Sequence, residues 1–77
     1  MIAVLMYLDL PQMSRSGQKR VEMEFQPGMT GADVLHREFS PQDHELIMVV
    51  VNGEHQPPGV PLHDGDTVEL LHPMVGG

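Results

Sequence analysis

The sequence predicts an α+β domain, and three observations carry that expectation. Residues 20–25, RVEMEF, alternate polar and apolar side chains with the period of a half-buried strand. Residues 30–39, TGADVLHREF, join a helix start signal to apolar residues at helical spacing. Residues 46–51, LIMVVV, form a continuous run rich in β-branched residues, which suits a buried strand. Several strands with one helix between them make a sheet with one face covered.

Taken in order, the first strand is expected over residues 2–10, nearly all apolar and including Ile2, Val4 and Tyr7. Residues 11–19, PQMSRSGQK, interrupt it and form a long hairpin loop to the second strand at 20–25. That strand turns Val21, Met23 and Phe25 to one face and Arg20, Glu22 and Glu24 to the other. In the helix, Thr30 fits the N-cap, Asp33 stands in the capping-box position near the positive helix end, and Pro41 follows the last periodic residue. Ala32, Leu35 and Phe39 form one stripe, with Val34 beside it, that would lie on a sheet.

The strand at 46–51 is expected to be covered on much of both faces and to end at the turn signal Asn52-Gly53. Residues 53–66, GEHQPPGVPLHDGD, are rich in Pro and Gly and read as irregular, with Val60 and Leu62 able to tuck a short edge segment against the core. Asp64-Gly65 marks a tight turn. The last strand, residues 67–71, sets Val68 and Leu70 on one face and Glu69 and Leu71 on the other, and Pro73, lacking an amide hydrogen, ends its ladder. One domain over residues 1–72 followed by a flexible tail at 73–77 accounts for the whole chain.

Composition narrows the function. A chain of 77 residues can bury only about 60% of its unfolded surface, and without cysteine it has neither a disulfide framework nor a thiolate metal site. A reducing cytoplasm is the setting this favours. The N-terminal apolar run lacks the basic flank and cleavage site of a signal peptide, and no segment approaches the roughly 20 apolar residues of a membrane span. Eleven acidic residues against four basic ones give a formal charge of −7, which repels nucleic-acid phosphates. Such a charge either steers the domain toward a basic patch on a protein partner or serves solubility alone.

The five histidines, His36, His44, His55, His63 and His72, show no metal-ligand spacing, and His63-Asp64 is explained by turn composition, so no metal is expected. Ser14, Ser16, Ser40 and the two threonines are the available hydroxyl nucleophiles, all near expected loops or caps, and no Walker-type or Gly-x-Ser-x-Gly pattern accompanies them. These residues do not assemble a self-sufficient enzyme. Met6, Met23 and Met48 read as core filling, whereas Met74 lies beyond the last strand, where a flexible apolar side chain can adapt to a partner groove.

The tail carries the remaining signal. Gly76 and Gly77 have no β-carbon, so an extended segment ending in them can enter a channel too narrow for other residues. Pro73, Met74, Val75, Gly76 and Gly77 together reach at most about 16–18 Å. A Gly-Gly end considered alone is most simply a frayed terminus. Its carboxylate, with a reference pKa of about 3.5, is nonetheless ionised at neutral pH and competent to attack the α-phosphorus of a nucleotide.

TGADVLHREF, VVVNGE and LHDGDTVELLHPMVGG together resemble the ubiquitin-like sulfur-carrier proteins, the family of the thiamin-synthesis sulfur carrier and the small subunit of molybdopterin synthase. They look like that family's Thr-x-x-Asp-Leu-Leu helix, its strand and turn, and its Asp-Gly-Asp turn, last strand and Gly-Gly end. The proline-rich residues 55–61 and the loop at 11–18 depart from the pattern. The resemblance implies a β-grasp fold, a mixed sheet curling round one main helix with the first and last strands parallel and central. It also implies the chemistry. A ubiquitin-activating-type adenylating enzyme would adenylate Gly77 using ATP and magnesium held by that partner, and a sulfur donor would displace AMP. The thiocarboxylate would then deliver sulfur in molybdopterin or thiamin synthesis with a synthase partner, the Pro73-containing ending resembling the molybdopterin type more. Gly77 would bear the chemistry, with Gly76, Val75, Met74 and Pro73 giving access and the domain itself catalysing nothing. Leu5, Tyr7 and Leu71 are expected to form an apolar partner patch on the uncovered sheet face. A protein modifier conjugated through Gly77, or a binding module with an inert tail, are the alternatives.

Overall fold

Two parallel strands, β1 (Ile2–Met6) and β5 (Thr67–Leu71), pair along their length, with Val4 opposite Val68 and Met6 opposite Leu70. They lie inside a five-stranded sheet of order β2-β1-β5-β3-β4, completed by β2 (Arg20–Met23), β3 (Met48–Val51) and β4 (Glu54–His55). The computed structural model describes residues 1–72. Parallel neighbours need a long crossover. Here the crossover contains β2, β3, β4 and the helical segments between β1 and β3.

Burial alternates strictly along β1 and β5, so that Ile2, Val4 and Met6 and then Val68 and Leu70 point into the core. The helix α2 (Gly31–Glu38) covers that face, sending in Val34 and Leu35, with Phe39 buried at its C-cap. Its start is fixed by a capping box: the Asp33 amide donates to Thr30 Oγ1 at 3.4 Å, and the Thr30 amide donates to Asp33 Oδ2 at 2.8 Å. At Gly31 the helix comes so near the sheet that a β-carbon would lie 3.1 Å from Val49 Cγ1 and 3.5 Å from the Pro58 carbonyl oxygen. Glycine permits that approach. Ala32, expected on the buried stripe, is only half-buried, because the helix is rotated to bring Gly31, Val34, Leu35 and Glu38 inward.

Several elements depart from the sequence expectation. The first strand stops at Met6 rather than Leu10, since Leu8 adopts a left-handed backbone with φ 59° and the chain then turns into the short helix α1 (Leu10–Met13). Pro11 sits in the first turn of α1, where its missing N–H costs nothing, and Leu10 is completely buried. β2 ends at Met23 instead of Phe25, although Phe25 still packs against the core. The expected strand at 46–51 begins at Met48, because Pro41–Leu46 wind into a 3₁₀ helix that leaves Leu46 exposed.

That strand is also not covered on both faces. Val49 and Val51 are buried, while Met48 and Val50 are half-buried on the opposite side, so Met48 fills no core gap. The irregular stretch contains one more strand than expected: Asn52 (φ 51°) and Gly53 (φ 86°) form a two-residue turn, and β4 returns to pair Val50 with His55. Of the two apolar residues beyond it, Leu62 is buried and Val60 stays exposed. The Asp64-Gly65 turn is present, with Gly65 at φ 91° and the Asp66 amide donating to the His63 carbonyl.

Candidate functional site

Because the even-numbered residues of β1 and β5 face the helix, their odd-numbered residues form the opposite face, which no element covers among the described residues. One row across it follows from the pairing register: Arg20 of β2, Leu5 of β1, Glu69 of β5, Val50 of β3 and His55 of β4. The next row toward the C-terminus sets Leu71 opposite Met48. Leu5, Val50, Met48 and Leu71 are all half-buried. The centre of the face is therefore apolar around the carboxylate of Glu69, with Arg20, Glu22 and His55 on its edge strands.

Tyr7, directly after β1, lies over this surface and donates its hydroxyl to Glu69 Oε2 at 2.6 Å. The hydrogen bond to Glu69 is the main reason that the phenol titrates above the ordinary tyrosine range, with partial desolvation and the Glu69 charge acting in the same direction. Beyond Tyr7 the chain makes its left-handed turn at Leu8, whose side chain is exposed, and Asp9 then meets His72. His72 Nε2 stands 3.6 Å from Asp9 Oδ1, so the residue that leads into the tail is held beside the β1–α1 turn.

Leu5 and Leu71 thus share the open face, and Tyr7 reaches it through Glu69. Pro73, Met74, Val75, Gly76 and Gly77 lie outside the described residues. Glu69, Met48 and Val50 were not anticipated as site residues. The alternation in TVELL already places Glu69 beside Leu71, but only the strand order shows that Glu69 is central.

The histidines stand apart from this surface or at its edge. His36 and His44 meet edge to face, with ring centroids 6.4 Å apart, and His44 Nε2 lies 3.3 Å from the Phe39 carbonyl. His63 Nδ1 is 4.0 Å from Asp66 Oδ2. Among the described residues no three His, Asp or Glu side chains come together as a metal site, and no helix is long and apolar enough to cross a membrane.

The ThiS family model matches residues 11–77. The chain belongs to the ThiS family. No curated protein sequence matches it. Among solved structures, the crystal structure of SAMP1 from Haloferax volcanii is similar, with 22% identity and a TM-score of 0.75 over 99% of this chain and 98% of that one. At that identity the likeness concerns the fold. The mixed sheet on one main helix is the ubiquitin-like β-grasp. ThiS-family proteins are small ubiquitin-like carriers rather than catalysts, of a kind that works with activating enzymes and synthase partners in general.

Proposed function

We propose that this ThiS-family protein carries sulfur on the carboxylate of Gly77. The observation that supports the reading is positional: β5, the central strand, leads out of the sheet at Leu71 toward a sequence that ends in Gly76-Gly77. A rigid domain on that strand serves as the handle by which a partner holds the chain while its last residues enter a narrow channel.

The chemistry is that of an activated acid. The Gly77 carboxylate attacks the α-phosphorus of ATP and releases pyrophosphate, giving an acyl-adenylate. Hydrosulfide delivered at the sulfide oxidation level by a donor then attacks the acyl carbon through sulfur, the C–O bond to AMP breaks, and loss of the S–H proton leaves a thiocarboxylate. ATP and magnesium belong to the active site of the ubiquitin-activating-type partner, which this domain docks through the open face around Leu5, Tyr7 and Leu71. Sulfur passes from there to a precursor of molybdopterin or thiamin in a synthase partner.

The test is direct. Incubated with its adenylating enzyme, ATP and a sulfur donor, the protein is expected to gain the mass of one oxygen-to-sulfur exchange, located at Gly77 by fragmentation. Stable conjugates with lysines of other proteins, and no such exchange, would replace the carrier by a modifier.

A further inference from the structure

We propose that Glu69 is a specificity-determining residue of the open sheet face: its carboxylate accepts an arginine guanidinium from the adenylating partner, so that the face admits only a partner whose apolar patch carries that cation. The inference rests on the carrier reading above and adds the chemistry of the surface that must be met.

Three observations carry it. Glu69 lies on the central strand between Leu5 and Val50, so a partner that covers those side chains also removes the carboxylate from water. An ionised carboxylate buried without a counter-charge is strongly unfavourable, whereas one met by a guanidinium with its hydrogen bonds satisfied is not. Within the described residues the protein supplies no such cation. The ion pairs leave Glu69 out, and Arg20, in the same row but beyond Leu5, points its Nη2 at Glu22 Oε1 at 3.5 Å. His55, at the other end of the row, is separated from it by Val50.

The carboxylate is also held in place. Tyr7 donates to Oε2, and Oε1 has no hydrogen-bond donor among the described residues. A planar guanidinium suits this arrangement better than an ammonium, because it can bond the free oxygen edge-on while its face rests on an aromatic ring such as that of Tyr7. The overall charge of −7 favours the approach of a basic surface from a distance. Glu69 selects among surfaces that have already approached.

The alternative role is that Glu69 only keeps an apolar face soluble. Titration of the wild-type protein into the adenylating enzyme by calorimetry, together with ATP–pyrophosphate exchange at varied carrier concentration, separates the two. Glu69→Gln is expected to weaken binding and raise the KM for the carrier by about tenfold or more, with kcat retained. Its affinity should also depend less on salt than that of the wild type. Tyr7→Phe should raise KM by a smaller factor, since it frees the carboxylate without removing it. Unaltered KM, affinity and salt dependence in Glu69→Gln would overturn the proposal. Wild-type protein that binds but is not adenylated would defeat the carrier reading while leaving the Glu69 comparison readable. Wild-type protein that does not bind would overturn both.

Discussion

Asn52 donates from Nδ2 to Oδ1 of Asp66 at 2.8 Å, and its own Oδ1 accepts the Thr67 amide at 3.0 Å. One side chain in a left-handed backbone conformation thereby ties the β3–β4 turn to the turn that launches β5. Asp66, largely buried, also accepts the His63 amide at 2.8 Å. Asn52→Ala loses both bonds and puts a β-carbon residue without a polar side chain at positive φ. The expected loss is about 2–3 kcal/mol. Asn52→Gly restores the turn but not the bonds and should recover only part of that, as urea unfolding would show.

Phe39 is the largest fully buried side chain and seals the end of α2 against the sheet. Phe39→Ala is expected to cost about 3–5 kcal/mol, against a total stability of roughly 4–12 kcal/mol for a chain of this size. Circular dichroism should therefore show a greatly lowered melting temperature or no cooperative transition. A loss below about 1 kcal/mol would mean that Phe39 is not part of the core.

The Tyr7–Glu69 bond predicts an alkaline titration. The Tyr7 pKa is raised on folding, so the native state holds that proton more tightly than the unfolded chain. Its contribution to stability is complete below the unfolded value of about 10 and is lost as pH rises through the folded value. Absorbance at the tyrosinate band, simple to interpret because Tyr7 is the single tyrosine, should show a midpoint above 10. Glu69→Ala should move it down.

Leu71 lies opposite Met48 on the open face and only half-buried. Leu71→Glu adds a second carboxylate beside Glu69 without opening the core. Partner binding should fall by about tenfold or more, the scale of an interface anchor, while the melting temperature stays within a few degrees. Unfolding, or unchanged affinity for the adenylating enzyme, would remove Leu71 from the docking face.

Activation at Gly77 should depend on length and on the absence of side chains next to it. One residue added after Gly77, or Gly76→Val, is expected to abolish adenylation in the pyrophosphate-exchange assay without changing the melting temperature. A tail-extended chain that gains sulfur at its new end would show that the position of Gly77 is not read.

Legibility in the sequence followed the range of the interactions. The capping box at Thr30 and Asp33, the Asn52-Gly53 turn and the alternation of Thr67–Leu71 are local, and each was readable and is present. The apolar run alone puts Leu10 in a strand, because such runs do not distinguish a strand from a buried turn of helix; the left-handed Leu8 and Pro11 settle the matter through tertiary burial. The 3₁₀ helix at Pro41–Leu46 and the two-residue β4 are too short to show a period. Glu69 was visible as a residue of the outer face, yet its central place depends on β1 and β3 flanking β5, a pairing between distant parts of the chain.

That flanking has a mechanical consequence. A pull on the chain beyond Leu71 runs along β5, which is bonded in parallel to β1 on one side and antiparallel to β3 on the other. Such a load acts along the strand and stretches many backbone hydrogen bonds at once, in shear, on both sides of β5, where an edge strand would have them on one side alone. The domain should resist extraction from a tight channel up to one abrupt rupture, so a partner can grip, tug and release this tail without unravelling the protein that bears it.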